Sequence, residues 1–308
     1  MAHSFSFVLP AYKNQFLSQA INSILRQTYS DFELIIVNDA SPYNLDTIIN
    51  GFKDKRITYY TNSNNLGKES VTRSWNHAIT YASGDFIILA SDDDYYHPNY
   101  LASMVNLLVK YPLVDLFHCR LRYIDSDGNF LFLSQPAAEF ENCCDFISQR
   151  LIHNRKQAAP EFMFRRSALE KINGFVEFPI AWYSDDATWN ALSKNGVAYT
   201  HQPLLDFRMS GINLSSSNVC VENKIDAIYE YKQWLGKFLN SLSPYTNDEL
   251  RILELCKENY KAILNSQVLT HLCQLRGKSL YQRAAFALKN KDISYFAFFR
   301  IILESLFK

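Results

Sequence analysis

Three runs of residues have the types and spacing to do chemistry. Asp92-Asp93-Asp94 follows Ser91 and the apolar run FIILA. Three successive carboxylates repel one another unless a cation or solvent compensates them, and a divalent metal is the obvious compensator. Carboxylate oxygens suit magnesium or manganese, which usually bridge a protein to a diphosphate, so a phosphorylated ligand is implied. Asn38-Asp39-Ala40-Ser41 follows a second apolar run, and Asp185-Asp186 follows Trp182-Tyr183 far along the chain. A carboxylate from that distant pair could face the reacting group and accept a proton. Each run also has a plainer reading. Asp92–Asp94 suits a cap for a helix begun by Pro98, Asp39 suits an Asx turn, and Asp185-Asp186 suits the first turn of a helix, where the dipole stabilises carboxylates. The combination outweighs its parts.

Positioning these groups falls to alternating strands and helices. Short β-rich runs at Phe5–Leu9, Glu33–Val37, Ile57–Tyr60 and Phe86–Ala90 alternate with helical patterns over about Gln15–Gln27, Leu45–Phe52, Lys68–Ala82 and Pro98–Lys110. That alternation predicts right-handed βαβ units with strands buried on both faces. Open α/β sheets bind ligands at the carboxyl ends of their strands. The first strand ends in Pro10-Ala11-Tyr12, the second in Asp39 and the fourth in the acidic triplet, all on one sheet edge. After Val114–Tyr123, the turn Asp125-Ser126-Asp127-Gly128 lets Phe130–Leu133 pair back as a hairpin, so the sheet should be mixed though mostly parallel. Residues 136–160 are poorly periodic, Glu161–Phe164 reads as a strand, and Asp186–Lys194 as a helix stopped by Asn195-Gly196. Beyond residue 216 helical patterns dominate, over Glu222–Leu242 and Asn247–Leu275, broken at Pro244.

The 308 residues are 48% hydrophobic, ample for a large core with a pocket. Lys+Arg and Asp+Glu are both 31, so there is no overall field to hold a polyanion, which argues against nucleic acid. The six cysteines show no zinc or redox spacing and read as reduced packing residues. The opening MAHSFSFVLPAY does not read as a secretory signal, and no run reaches the roughly 18–20 apolar residues of a membrane span. These features predict a cytosolic protein, at most peripheral on the inner face of a membrane.

VLPAYKNQFLSQAINSILRQTYSDFELIIVNDAS resembles the opening of glycosyltransferase family 2, inverting enzymes with the GT-A fold. A strand, a helix ending in Ser23–Tyr29, and Glu33–Ser41 follow in the family's order. The resemblance continues through Asn65-Leu66-Gly67, Arg73, Asn76, Ala82-Ser83-Gly84-Asp85, the triplet and Asn173-Gly174-Phe175, and covers roughly residues 4–210. It implies an α/β GT-A-like domain over 1–215, with a nucleotide-binding half (1–100) and an acceptor-side half (101–215), followed by a helical region over 216–308.

The resemblance also implies roles. Pro10, Ala11 and Tyr12 would line the nucleoside pocket, and Asp39 would accept a hydrogen bond from the imino group of a uracil-like base, favouring a UDP-sugar. Asp93 best matches the residue that reaches the metal on the diphosphate, sharing it with Asp92 and Asp94 in an undetermined proportion, since Ser91 stands where the family's first Asp would be. Asp186 matches the catalytic base, with Asp185 in place of the Glu before it. It would take the acceptor hydroxyl's proton as that oxygen attacks the anomeric carbon, inverting its configuration. Arg208 resembles a position near the donor phosphates, although the His that often follows is absent. Lys68 and Arg73 have the charge to touch the diphosphate or ribose, though basic helix residues are more often solvated.

The acceptor would be a saccharide or lipid-linked saccharide in the assembly of a cell-surface polysaccharide, capsule or lipopolysaccharide. Residues 276–308 hold seven Lys/Arg against two acidic residues. This pattern suits an amphipathic helix on an anionic membrane surface, and equally suits packing on the body or on a second subunit in a homodimer. The rival readings are a nucleotidyltransferase, which would release pyrophosphate, and a catalytically inactive nucleotide-sugar-binding scaffold, suggested by the departures at Ser91 and Asp185.

Overall fold

The computed structural model describes residues 3–211 and 221–274. In chain order the elements are β1 (Phe5–Ala11), α1 (Leu17–Leu25), β2 (Glu33–Asn38), α2 (Leu45–Ile49), β3 (Ile57–Thr61), α3 (Val71–Ile79), β4 (Phe86–Leu89), β5 (Tyr95–Tyr96), α4 (Tyr100–Lys110), β6 (Leu116–Asp125) and β7 (Phe130–Leu133). They continue with β8 (Phe140–Glu141), α5 (Cys143–Leu151), β9 (Phe162–Arg165), α6 (Arg166–Lys171), α7 (Ser184–Leu192), β10 (Val197–Met209), α8 (Val221–Ser241) and α9 (Asn247–Gln274).

These strands form one sheet in the order β3-β2-β1-β4-β9-β6-β10-β5, with β7 added beside β6 and β8 beside β10. The neighbours β3, β2, β1 and β4 are parallel, as are β6 and β10. β9 lies antiparallel between β4 and β6. β1 and β4 are buried along almost their whole length because helices cover both faces. On one face α1, α2 and α4 pack through Leu17, Ile21, Leu45, Tyr100 and Met104. On the other, α3, α6 and α7 pack through Ala78, Leu169 and Trp189. Cys119, Cys144 and Cys256 are buried free thiols.

The sequence reading leaves 197–209 without a strand, yet β10 fills it. Its alternation is broken by register shifts between Thr200 and Pro203 and between Pro203 and Leu205, which disguise the period of two. The aperiodic stretch 136–160 likewise contains β8 and α5, whose start is capped by the Asn142 side chain accepting from the Asp145 N–H at 2.9 Å. At the other end of the sequence, α8 and α9 share one apolar core with α5 and α7, joining Ile225, Tyr231, Leu264 and Val268 to Ile147, Leu151 and Ala187. No helix of the described residues is long and apolar enough to cross a membrane. The basic segment 276–308 lies outside the described residues.

Two family-like motifs have a structural cause. The buried Gln27 side chain donates to the carbonyls of Ser23 and His97, at 3.2 and 2.9 Å, and accepts from the Leu101 N–H at 2.8 Å. It therefore ties α1 to the start of α4. Gly174 has φ +92°, and a Cβ there would come within 2.6 Å of Asn76 Oδ1. That oxygen accepts from the Phe175 N–H at 2.8 Å, while Asn76 Nδ2 donates to the Phe175 carbonyl at 3.3 Å, so the close approach requires glycine.

Gln27→Ala strands the Leu101 N–H, while the His97 carbonyl keeps the Tyr100 N–H at 2.9 Å, and should cost about 1–3 kcal/mol. Chemical denaturation should show this as a lower midpoint with an unchanged slope.

Candidate active site

β1 lies between β2 and β4, so the three polar strand ends are adjacent. The chain leaves β1 through Pro10 and Ala11 into Tyr12 and Lys13, whose backbone N–H groups both point at Asp92 Oδ2, at 2.9 and 2.7 Å. The Tyr12 carbonyl accepts from the Ser41 hydroxyl at 2.6 Å, and the Tyr12 ring is 40% exposed. One carboxylate and one hydroxyl thus fix the turn against both neighbouring strand ends.

Asp39 is buried and accepts from Asn62 Nδ2 (2.7 Å), the Leu66 N–H (2.9 Å) and the Gly67 N–H (2.7 Å). A carboxylate has about four lone-pair sites, so the loop after β3 leaves Asp39 one acceptor position. That loop's Gly67 sits close enough that a Cβ would lie 2.9 Å from Asp39 Oδ2. Lys68 and Arg73 are not drawn in beside it. Both are exposed, and Arg73 pairs with Glu69 at 2.6 Å.

The triplet divides its labour. Asp92 is committed to the turn after β1. Asp94 accepts from the Arg208 N–H at 2.8 Å and from the Ser91 hydroxyl. Asp93 takes the Lys13 ammonium on Oδ2 at 2.6 Å, and its Oδ1 makes no hydrogen bond among the described residues. Burial would lower the Lys13 pKa, but the charges of Asp92 and Asp93 outweigh it and raise it. Burial, reinforced by the Asp93 charge, pushes the Asp94 carboxyl up to about 7. Against the expected metal site shared among the three in an undetermined proportion, the hydrogen bonds differ: Asp92 and Asp94 each accept from backbone N–H groups, whereas Asp93 accepts from none among the described residues. Among the described residues no group of three or more His, Cys, Asp or Glu converges as an all-protein metal cage. The hard-oxygen donor at Asp93 fits an ion whose other positions come from a diphosphate.

Arg208 also serves the triplet's framework. It is buried, its Nε donates to the Asp93 carbonyl at 3.0 Å, its Nη atoms to Ser126 O and Gln19 Oε1 at 3.0 Å each, and its guanidinium lies 4.1 Å from the Phe16 ring centroid. β10, paired with β5 just after Asp94, clamps the acidic loop onto the sheet. The resemblance implies a place near the donor phosphates for this arginine; here its guanidinium hydrogen-bonds to Asp93, Ser126 and Gln19.

The second acidic pair opens α7, after three non-glycine residues with left-handed backbone, Ile180 (φ 51°), Ala181 (φ 57°) and Tyr183 (φ 67°). Such conformations persist where the surroundings impose them, and they cluster at functional sites. Asp186, nominated as the base, is buried under a two-pronged ion pair, with Arg150 Nε on Oδ1 at 2.5 Å and Nη2 on Oδ2 at 3.0 Å, and Gln157 Nε2 also on Oδ1 at 3.1 Å. Asp185 is only half-buried, accepts the Asp186 N–H at 3.0 Å and makes no ion pair among the described residues. Burial and the adjacent Asp186 charge push its carboxyl up to about 7.

Sequence reasoning missed Lys13, Arg150 and Gln157. Lys13 carried a signal, as the first charged residue after the β1 strand end. Arg150 and Gln157 lie in the aperiodic stretch and carried none.

Asp92→Ala strands two backbone N–H groups and should cost about 2–4 kcal/mol, whereas Asp93→Asn should cost under about 1 kcal/mol. Thermal melting of the two variants checks the division of roles.

The profile of "Glycosyl transferase family 2" matches residues 6–173. An uncharacterized glycosyltransferase of Rickettsia typhi is 25% identical over 245 residues, which is 77% of this chain and 72% of that protein. Residues 1–349 of S. aureus TarS, crystallised with UDP-GlcNAc, superpose with a TM-score of 0.64 at 16% identity, covering 92% of this chain and 83% of TarS 1–349. The mannosyltransferase PcManGT of Pyrobaculum calidifontis, in complex with GDP-Man and Mn2+, superposes at 0.56 and 16% identity, covering 97% of this chain and 84% of its own. The fold is GT-A-like, and with the match spanning more than half of its length, the chain belongs to glycosyltransferase family 2.

Proposed function

We propose that this glycosyltransferase moves a sugar from a UDP-sugar to a hydroxyl of a saccharide or lipid-linked saccharide, with inversion, in cell-surface polysaccharide assembly. The observation that carries the reading is the pairing of two unlike acidic sites: a strand-end cluster in which the buried Asp93 accepts from no backbone N–H, and the Asp185-Asp186 pair that opens α7. The remaining acceptor position of Asp39 suits the imino N–H of uracil, and the exposed Tyr12 ring suits a base face. TarS with UDP-GlcNAc supports a nucleotide-sugar donor in this fold.

Asp186 is the base in this reading, held in place by Arg150 and Gln157 and with Asp185 beside it. Deprotonated, it accepts the acceptor O–H proton as the oxygen forms its bond to the anomeric carbon. The bond from that carbon to the diphosphate oxygen breaks, and the diphosphate leaves with the electron pair. Lys13 and the backbone around Asp92 hold the donor end in place. A manganese or magnesium ion at Asp93, in keeping with the Mn2+ of PcManGT, would offset the charge building on the leaving diphosphate.

The test is a panel of nucleotide sugars with manganese or magnesium, with and without chelator, following nucleoside diphosphate release. Metal-dependent UDP release from one donor is expected. Pyrophosphate release would replace the reading with nucleotidyl transfer, and saturable UDP binding with no turnover on any donor or acceptor would replace it with a binding scaffold. Asp186→Asn should lower kcat about 10²–10⁴-fold.

A further inference from the structure

Two of the left-handed residues flank the acceptor side closely. His153 (φ 58°) follows Arg150 by three positions, at the turn that ends α5, and Tyr183 (φ 67°) precedes Asp186 by three, at the turn that opens α7. Such backbone is unfavourable for a residue that carries a Cβ and persists where its surroundings impose it. One side chain from far along the chain touches both. Gln267, half-buried on α9, accepts the Tyr183 hydroxyl on Oε1 and sets its Nε2 against His153 Nε2. An amide nitrogen only donates, so the imidazole nitrogen accepts. Burial and the Arg150 charge lower the His153 pKa and favour the neutral ring that this requires.

The Tyr183 ring is held a second time by Tyr231 of α8, with centroids 4.5 Å apart and planes 7° from parallel. Leu264 and Val268 on either side of Gln267 sit in the apolar core that also takes Ile147 and Leu151 of α5. Because Arg150 grips both oxygens of Asp186, the contacts close a circuit that runs Arg150, His153, Gln267, Tyr183, Asp186 and back to Arg150. We propose that Gln267 is a positioning residue for the base: one amide holds the turn after α5 and the turn before α7 at a fixed separation, so that Asp186 and the guanidinium on it present a single geometry to the acceptor hydroxyl. The C-terminal helix pair is then part of the acceptor site. This rests on the reading of Asp186 as base. Asp39 and the triplet take their hydrogen bonds from other residues, so the donor side does not feel this amide directly.

The experiment measures kcat, donor KM and melting temperature for Gln267→Met, which keeps the length of the side chain and loses both polar contacts, and for Tyr183→Phe, which loses one of them. Each is made in the unaltered enzyme and together with Asp186→Asn, and the two are also combined. A displacement of about 1 Å in a reacting group can cost about 10²-fold. Gln267→Met should therefore lower kcat about 10- to 10²-fold with donor KM unchanged, and Tyr183→Phe should lower it less. Joining Tyr183→Phe to Gln267→Met should add nothing, since the contact is already gone. On the residual turnover of Asp186→Asn, Gln267→Met should have no further effect, whereas a purely structural loss would appear on both backgrounds alike. Full kcat in a folded Gln267→Met enzyme overturns the proposal. So does an equal fold-loss with and without Asp186, or a raised donor KM in place of a lowered kcat. If Gln267→Met does not fold, Tyr183→Phe is judged by the same three criteria. Undiminished turnover by Asp186→Asn would sink the base assignment separately, whatever Gln267 does.

Discussion

The donor side of this molecule depends on one buried oxygen. Asp92 Oδ2 receives the N–H groups of Tyr12 and Lys13, so the exit from β1 is held by a carboxylate at the exit from β4. Parallel strands end with their backbone groups unsatisfied, and here a charged acceptor closes two of them at once. From that contact follow the place of the Tyr12 ring and the approach of Lys13 to Asp93. A carboxylate in so buried a place is stable only beside a cation, which Lys13 supplies.

The same logic recurs on the acceptor side with different partners. There a guanidinium serves one member of an acidic pair and not the other. The two sites thus use similar residues to opposite ends: the donor side ties the flanking carboxylates Asp92 and Asp94 to backbone N–H groups and leaves the middle one to Lys13, and the acceptor side ties down the second carboxylate and leaves the first. Burial beside another carboxylate pushes the carboxyls of Asp94 and Asp185 towards neutrality, for Asp94 even against the two donors it accepts.

Much of this was legible in the sequence. Glu33–Ser41, Phe86–Asp94 and the helices between them carry strong periodicity because both faces of the strands are buried, and the placing of Asp39 and the triplet on one edge follows from parallel topology alone. Roles within the clusters were not legible. Asp92, Asp93 and Asp94 are chemically identical in sequence, and only the groups that meet them distinguish Asp92 and Asp94, which accept backbone N–H groups, from Asp93, which meets Lys13. Asp185 and Asp186 differ only through Arg150, which comes from a stretch whose helix shows no clear period. β10 was hidden by its own irregularity around Pro203.

The shared core of α5, α7, α8 and α9 has a consequence for how the molecule breathes. Proteins open in cooperative units, and a unit is defined by contiguous apolar packing. α5 and α7, which carry Arg150 and Asp186, pack on the C-terminal pair through Ile147, Leu151 and Ala187 as well as on the sheet through Phe146 and Trp189, whereas Asp39 and the triplet follow strands of the β1–β4 half. A sub-global opening of the C-terminal pair would therefore loosen the acceptor-side carboxylates while nucleotide binding persisted. Donor capture and acceptor activation are then separable in free energy, and amide exchange would see them as two protection classes in one chain.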